Sequence, residues 1–314
     1  MFILKACDQQ LHETEDLYDN NKVPEFLNML TGGTGGMYYP LGGEIAQIIT
    51  DETGIKVSAI SSNASADNLI AIQEGEAEIA MLQTGIMSDA VEGINVFEDH
   101  PIDHVLGLGS LYPETIQIVT IKQSGITSVE DLEGKKVSVG ASGSGTYFNA
   151  KQILEIHGMT MDDIEAESLN FEESTGGMQD GNIDAAFITA GTPTGSVEGL
   201  AATDNVQIVP IEESKVDELI DKYPYYAHDT IEAEEYNMTE DVHTAAVLAM
   251  FAVVDHLPEE VVYDITKAIY ENTDKLSHDK GKLVDINTAL DGMTVDLHPG
   301  ALKYYEEQDI LKNN

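Results

Sequence analysis

Residues 31–40 read Thr31-Gly32-Gly33-Thr34-Gly35-Gly36-Met37-Tyr38-Tyr39-Pro40, and a second glycine-rich stretch, Gly140-Ala141-Ser142-Gly143-Ser144-Gly145-Thr146, stands further along the chain. Each lies between a strand-like apolar run and a segment with helical spacing. Glycines free the backbone to take positive φ and to come close to a ligand. The helix expected after each loop offers unpaired N–H groups and a partial positive charge, which suits an anion. Two such strand, glycine loop, helix units predict two lobes, each turning a helix start toward a shared cleft.

The surrounding segments continue the alternation. Helical spacing covers residues 39–53 and 66–74, and strand-like runs cover 56–60, 78–82, 115–121 and 135–139. After the helix that follows the second loop and runs through His157, strands are expected at 184–189 and 207–211, with a buried apolar segment at 244–254. Helices at 259–272 and 275–285 close the chain. Alternation of this kind predicts an α/β fold.

Composition narrows the partners. The 314 residues contain 57 acidic and 15 basic side chains, a formal charge of −42, and every basic residue is Lys. A polyanion of this size has no basic face with which to displace counterions from DNA or RNA, so no nucleic-acid partner is expected. Its self-repulsion is screened over about 3 Å at 1 M salt, which points to a salt-loving source, with plain solubility as the other explanation. No apolar run approaches the roughly 20 residues needed to span a bilayer.

Cys7 is the one cysteine, so no intramolecular disulfide is possible. The opening Met1-Phe2-Ile3-Leu4-Lys5-Ala6-Cys7 resembles the end of a bacterial lipoprotein signal, with Leu4 three residues before the cysteine and Ala6 directly before it. Residues 1–22 are therefore read as a signal remnant and acidic tether, with Cys7 as the lipidation point and a plain unpaired thiol as the alternative. The expected location is extracytoplasmic, either periplasmic or lipid-anchored on the outer face of the membrane.

Three other chemistries fit the sequence less well. Neither loop has the Gly-Lys-Ser/Thr ending of a nucleotide-binding P-loop, and neither fits G-x-G-x-x-G. The second loop comes within one residue of the G-x-S-x-G elbow, but the spacing of His157, His228 and His243 identifies no triad. Asp99, His100, Asp103 and His104 have metal-ligand chemistry, yet Pro101 breaks a regular presentation. No catalytic residue, metal or cofactor is assigned, and the chain is read as a binder and not an enzyme.

The segments 31–50, Ser110-Leu111-Tyr112-Pro113-Glu114, Val137 to Thr146 (VSVGASGSGT), Ala190-Gly191-Thr192-Pro193-Thr194-Gly195, Leu257-Pro258-Glu259-Glu260-Val261-Val262-Tyr263 and Leu297-His298-Pro299-Gly300-Ala301 occur in that order. Together they resemble the TAXI family of solute-binding proteins, which serve TRAP transporters. The resemblance covers nearly all of the chain after residue 22. It implies a two-lobed type II periplasmic-binding-protein fold with the ligand cleft between lobes, lobe 1 at 23–114 plus 252–314 and lobe 2 at 115–251. It also implies a monomeric receptor for a small carboxylate, of the glutamate, glutamine or 2-oxoglutarate class, that delivers to a sodium-driven TRAP permease. A sensor module of the same fold, or a binder of a thiamine-precursor pyrimidine, is the alternative.

TRAP binding proteins of the other major family, the DctP type, hold the substrate carboxylate with arginine, and this chain has none. Backbone N–H groups, hydroxyls, amides or Lys must then do so. The expected ligand-binding residues are Gly33, Thr34, Gly35 and Tyr38 from the first loop and Ser142, Ser144, Gly145 and Thr146 from the second. Asn63, Ser65, Gln83 and Thr189 join them, because each follows a strand on the side where α/β folds bind ligands. Asn63 as a helix cap, Tyr38 as core and Gln83 as a partner for backbone groups are the plainer readings. Tyr225 and Tyr226 are a weaker expectation, as aromatic cover for the cleft.

Overall fold

The computed structural model describes residues 23–98 and 102–312. Cys7 and the 1–22 tether lie outside the described residues, as do Asp99 and His100. The chain opens with β1 (Phe26–Leu30), α1 (Tyr38–Thr53), β2 (Lys56–Ile60), α2 (Ser65–Gln73), β3 (Ile79–Gln83) and α3 (Thr84–Glu92). The long β4 (Val105–Ile121) leads into β5 (Lys136–Ser138), α4 (Gly145–Ile156), β6 (Glu165–Glu167), α5 (Phe171–Gln179), β7 (Ala185–Ala190) and α6 (Gly195–Ala201). Then come β8 (Val206–Val209), α7 (Glu213–Lys222), β9 (Ala227–Ile231), the long β10 (Val242–Val254), α8 (Glu259–Glu271) and α9 (Pro299–Glu307).

Local sequence explains these elements. Leu41, Ile45, Ile48 and Ile49 recur at helical spacing and are buried along α1, which stops at Gly54 in the left-handed conformation. β3 (IAMLQ) and β7 (AAFITA) are buried throughout, as strands covered on both faces must be.

The strands form one path, β2-β1-β3-β10-β4-β7-β5-β6, with β8 also on β4 and β9 also on β10. Pairing is parallel within β2-β1-β3 and within β7-β5-β6. The two long strands link these groups and change partners along their length. β4 pairs with β10 up to Thr115, and from Thr115 onward with β7 and β8. β10 pairs with β9 over residues 242–246 and with β3 over residues 249–253. Pro113 sits beside this change, next to a register shift between Leu248 and Met250, where a strand tolerates a missing N–H.

One hydrophobic core draws on residues between 27 and 112 and between 249 and 305, with Phe148 reaching in. Two further clusters draw on residues between 116 and 247. The architecture is therefore α/β and two-lobed, with β4 and β10 crossing between the lobes.

Two expectations are corrected. The strand expected from residue 115 begins at Val105, because its first half pairs with β10 despite Pro113. Residues 275–285 form no α-helix; they make 3₁₀ turns at Thr273–Lys275 and Asp279–Leu283. A β-carbon on Gly281 within that stretch would lie 2.6 Å from Leu276 Cβ, and a lone short segment interrupted by glycine is a poor helix.

Candidate functional site

A cavity of ≈ 70 Å³ lies where the two groups of strands face each other. At roughly 10–15 Å³ per water it has room for about five to seven waters, the scale of a small organic acid. Four helix starts supply its wall: Met37 and Tyr38 of α1, Ala64 and Ser65 of α2, Ser144 and Gly145 of α4, and Asn170 and Phe171 of α5. Gln83 at the end of β3 and Thr189 near the end of β7 complete it, beyond the C-terminal ends of parallel strands.

Of the twelve residues expected at the site, Gly33, Gly35, Tyr38, Asn63, Ser65, Gln83, Ser144, Gly145, Thr146 and Thr189 line this cavity. Ser142 is not among its lining residues. Thr34 turns instead into a neighbouring groove, where its hydroxyl donates to the Glu172 carboxylate at 3.1 Å. Tyr226 is buried against Asn149 and Gln152, and Tyr225 packs on Gly85, so neither covers the cleft. Asn63 is not the cap of α2; that place falls to Ala64, and the Asn63 amide donates to Asp67 at 2.7 Å.

The loops are held in place by specific bonds. Asn68 on α2 donates to the carbonyls of Thr31 and Met81 at 2.9 and 2.7 Å, tying the first loop to β3. Ala64 and Ser65 both have positive φ, 68° and 26°, an arrangement that non-glycine residues keep only where the surroundings impose it. Ser144 caps α4 by accepting from the Tyr147 N–H, and Asn170 caps α5 in a reciprocal box with Glu173. The four glycines of the first loop do not take positive φ, contrary to expectation; Gly140 and Gly143 of the second do.

The two sides of the cavity touch. The N–H groups of Ala66 and Asp67 donate to the Gly143 carbonyl at 3.0 and 3.4 Å, so the start of α2 is latched to the second loop. Gly145 lies so close to the Gln83 side chain that a β-carbon there would collide with it.

Electrostatically the cavity is unlike the surface. Among the described residues no Lys or His lines it, and Glu114 is its sole carboxyl. Glu114 was part of a motif noted in the sequence but not of the expected site. Its side chain is 3% exposed, and it accepts from Tyr38 Oη at 2.7 Å. Burial pushes its pKa up to about 8, against hydrogen bonds from Tyr38 and Gln83 that favour the charged form. Thr189 is 4% exposed, and its buried hydroxyl has no partner. An unpaired buried hydroxyl on a cavity wall is a place for a ligand atom. Sequence reasoning also missed Asn170 and Phe171, which the exposed, three-residue β6 gave no periodicity to announce.

Folds of this kind are known. The alkanesulfonate-binding protein SsuA from Xanthomonas axonopodis pv. citri, bound to MOPS, is similar with a TM-score of 0.53 and 14% identity, covering 90% of this chain and 83% of that one. PhnD1 from Prochlorococcus marinus, in complex with methylphosphonate, is similar with a TM-score of 0.54 and 9% identity, covering 93% and 98%. A protein from Bordetella bronchiseptica RB50 gives 0.53 and 18%, covering 90% and 89%. Strand order, crossing strands and these likenesses define a type II periplasmic-binding-protein fold. The chain belongs to the NMT1-like family, whose profile matches residues 29–308. No helix among the described residues is long and apolar enough to cross a membrane.

Proposed function

We propose that this chain is an extracytoplasmic receptor of the TAXI type that captures a small carboxylate, of the glutamate or 2-oxoglutarate class, and hands it to a sodium-driven TRAP permease. The observation that carries the reading is a cavity walled by four helix starts, with an unpaired buried hydroxyl and no cationic side chain. Helix starts favour negative charge through their N–H groups and dipoles. The lobes of the proposal are 23–114 plus 252–314 and 115–251; β4 changes partners at Thr115, and β10 does so between residues 246 and 249, a few residues before the second boundary. A ligand touching both loops would hold them together and stabilise the closed state.

The similar structures named for an alkanesulfonate and a methylphosphonate put those anions in the same test. Thermal melts with glutamate, glutamine, 2-oxoglutarate, succinate, pyruvate, ethanesulfonate, methylphosphonate, a thiamine-precursor pyrimidine and neutral sugars should show a shift for carboxylates and none for sugars. A shift for the sulfonate, phosphonate or pyrimidine alone would replace the carboxylate reading. Sodium-dependent uptake by vesicles carrying a candidate TRAP permease, in the presence of this protein, tests the transporter.

A further inference from the structure

Glu114 stands where β4 leaves β10 for β7, on the wall of the cavity. Tyr38 donates to its Oε2 from the start of α1 at 2.7 Å, and Gln83 at the end of β3 and Ser65 at the start of α2 stand on the same wall. The titratable groups that bear on it are the phenols of Tyr38 on α1 and Tyr112 on β4 itself. Burial pushes both phenols up, so both are neutral. Opposite Glu114, β10 presents Val247, and β7 presents Ala190 beside Thr115. Among the described residues that line the cavity with Glu114, none carries a positive charge to balance it when ionised.

A ligand carboxylate entering this cavity would meet the Glu114 carboxyl at short range without a cation between them. Two such groups cannot both be ionised there and must hold a proton in common. Resting on the carboxylate reading above, we infer that Glu114 is a ligand-binding residue that acts as a neutral acid, donating a hydrogen bond to the ligand carboxylate and requiring one proton per ligand bound. Below pH 8 that proton is already on Glu114; above it, the proton comes from solvent as the ligand enters. The raised acid is neutral at low pH and ionises as pH rises, so carboxylate affinity is full at neutral pH and is lost upward through about pH 8.

Titration calorimetry with 2-oxoglutarate and with succinate at pH 7 and pH 9, each in two buffers of different ionisation enthalpy, counts the protons. Uptake should be roughly 0.1 proton per ligand at pH 7 and roughly 0.9 at pH 9, with affinity falling about tenfold per pH unit above 8. Glu114→Gln keeps a neutral donor of the same shape but cannot ionise, and should abolish both the proton uptake and the fall in affinity between pH 7 and pH 9. Binding of either acid with no proton uptake at pH 9, release of protons at pH 7, or loss of binding in a folded E114Q would overturn the inference and leave the carboxylate reading standing. If neither acid binds the wild-type protein at pH 7, the carboxylate reading falls and the inference with it.

Discussion

The two glycine-rich loops look alike as sequence, yet the fold uses glycine in them for different reasons. In the second loop Gly140 and Gly143 have φ of +87° and +75°, a backbone conformation that side chains rarely adopt. In the first loop no glycine has positive φ among the described residues, and the need for glycine is spatial and uneven. A β-carbon on Gly35 would sit 2.6 Å from Glu172 Cγ, whereas one on Gly33 would meet nothing within 4 Å. The second loop is specified by its own backbone and, at Gly143 and Gly145, also by Asp67 and Gln83 from across the cleft; the first has no such backbone demand and answers to what comes toward it. Glycine count alone therefore cannot say whether a loop is shaped for itself or for a partner.

The sharpest test of that contrast is Gly140→Ala. The new methyl would lie 2.8 Å from Thr146 Cβ and 2.9 Å from Ser144 Oγ, the atom that caps α4. Left-handed strain of roughly 1–2 kcal/mol and overpacking of roughly 1–3 kcal/mol should together lower stability by about 2–5 kcal/mol. Urea unfolding measures it; a loss below about 0.5 kcal/mol would show that the second loop is not locked by its backbone.

A smaller effect on folding, and a larger one on closure, is expected for Gly35→Ala. Its backbone is ordinary, so alanine gains up to about 1 kcal/mol from the unfolded chain while its methyl presses on Glu172. Because Glu172 belongs to α5 on the far side of the cleft, the clash is relieved by opening. Stability without ligand should change by less than about 1 kcal/mol, while the melt shift produced by 2-oxoglutarate should shrink. Glu172→Gly in the same chain should restore that shift. If it does not, the contact between the first loop and α5 has no part in closure.

Much of this was legible in the sequence, and the reasons for the rest are physical. The helix starts at Tyr38 and Gly145 follow from glycine runs that end where apolar spacing begins, a local signal. Ser65, Gln83 and Thr189 were found from a topological rule, because strand ends point their next residues into the cleft. Glu114 was not placed in the site because its setting is made by burial from α1 and β3, distant in sequence. The available signal was a lone carboxyl inside a strand-like, apolar run, which is costly unless the fold uses it. Thr34 pointed elsewhere for a similar reason: Glu172, 138 residues away, claims its hydroxyl.

Gly33→Ala should have the smallest effect on the fold and so isolates the cavity. A methyl there meets no atom within 4 Å, its φ is not in the left-handed region, and the residue lines the cavity. Unfolding free energy should stay within about 0.5 kcal/mol of wild type, with any change toward stability as the unfolded chain loses freedom. The ligand feels the change differently. One methyl takes a sizeable share of a ≈ 70 Å³ space, so 2-oxoglutarate should bind more weakly and pyruvate, being smaller, should lose less. Equal losses for both acids would mean that the first loop acts through its backbone position and not through the room it leaves, and the spatial half of the comparison between the loops would then have to be withdrawn.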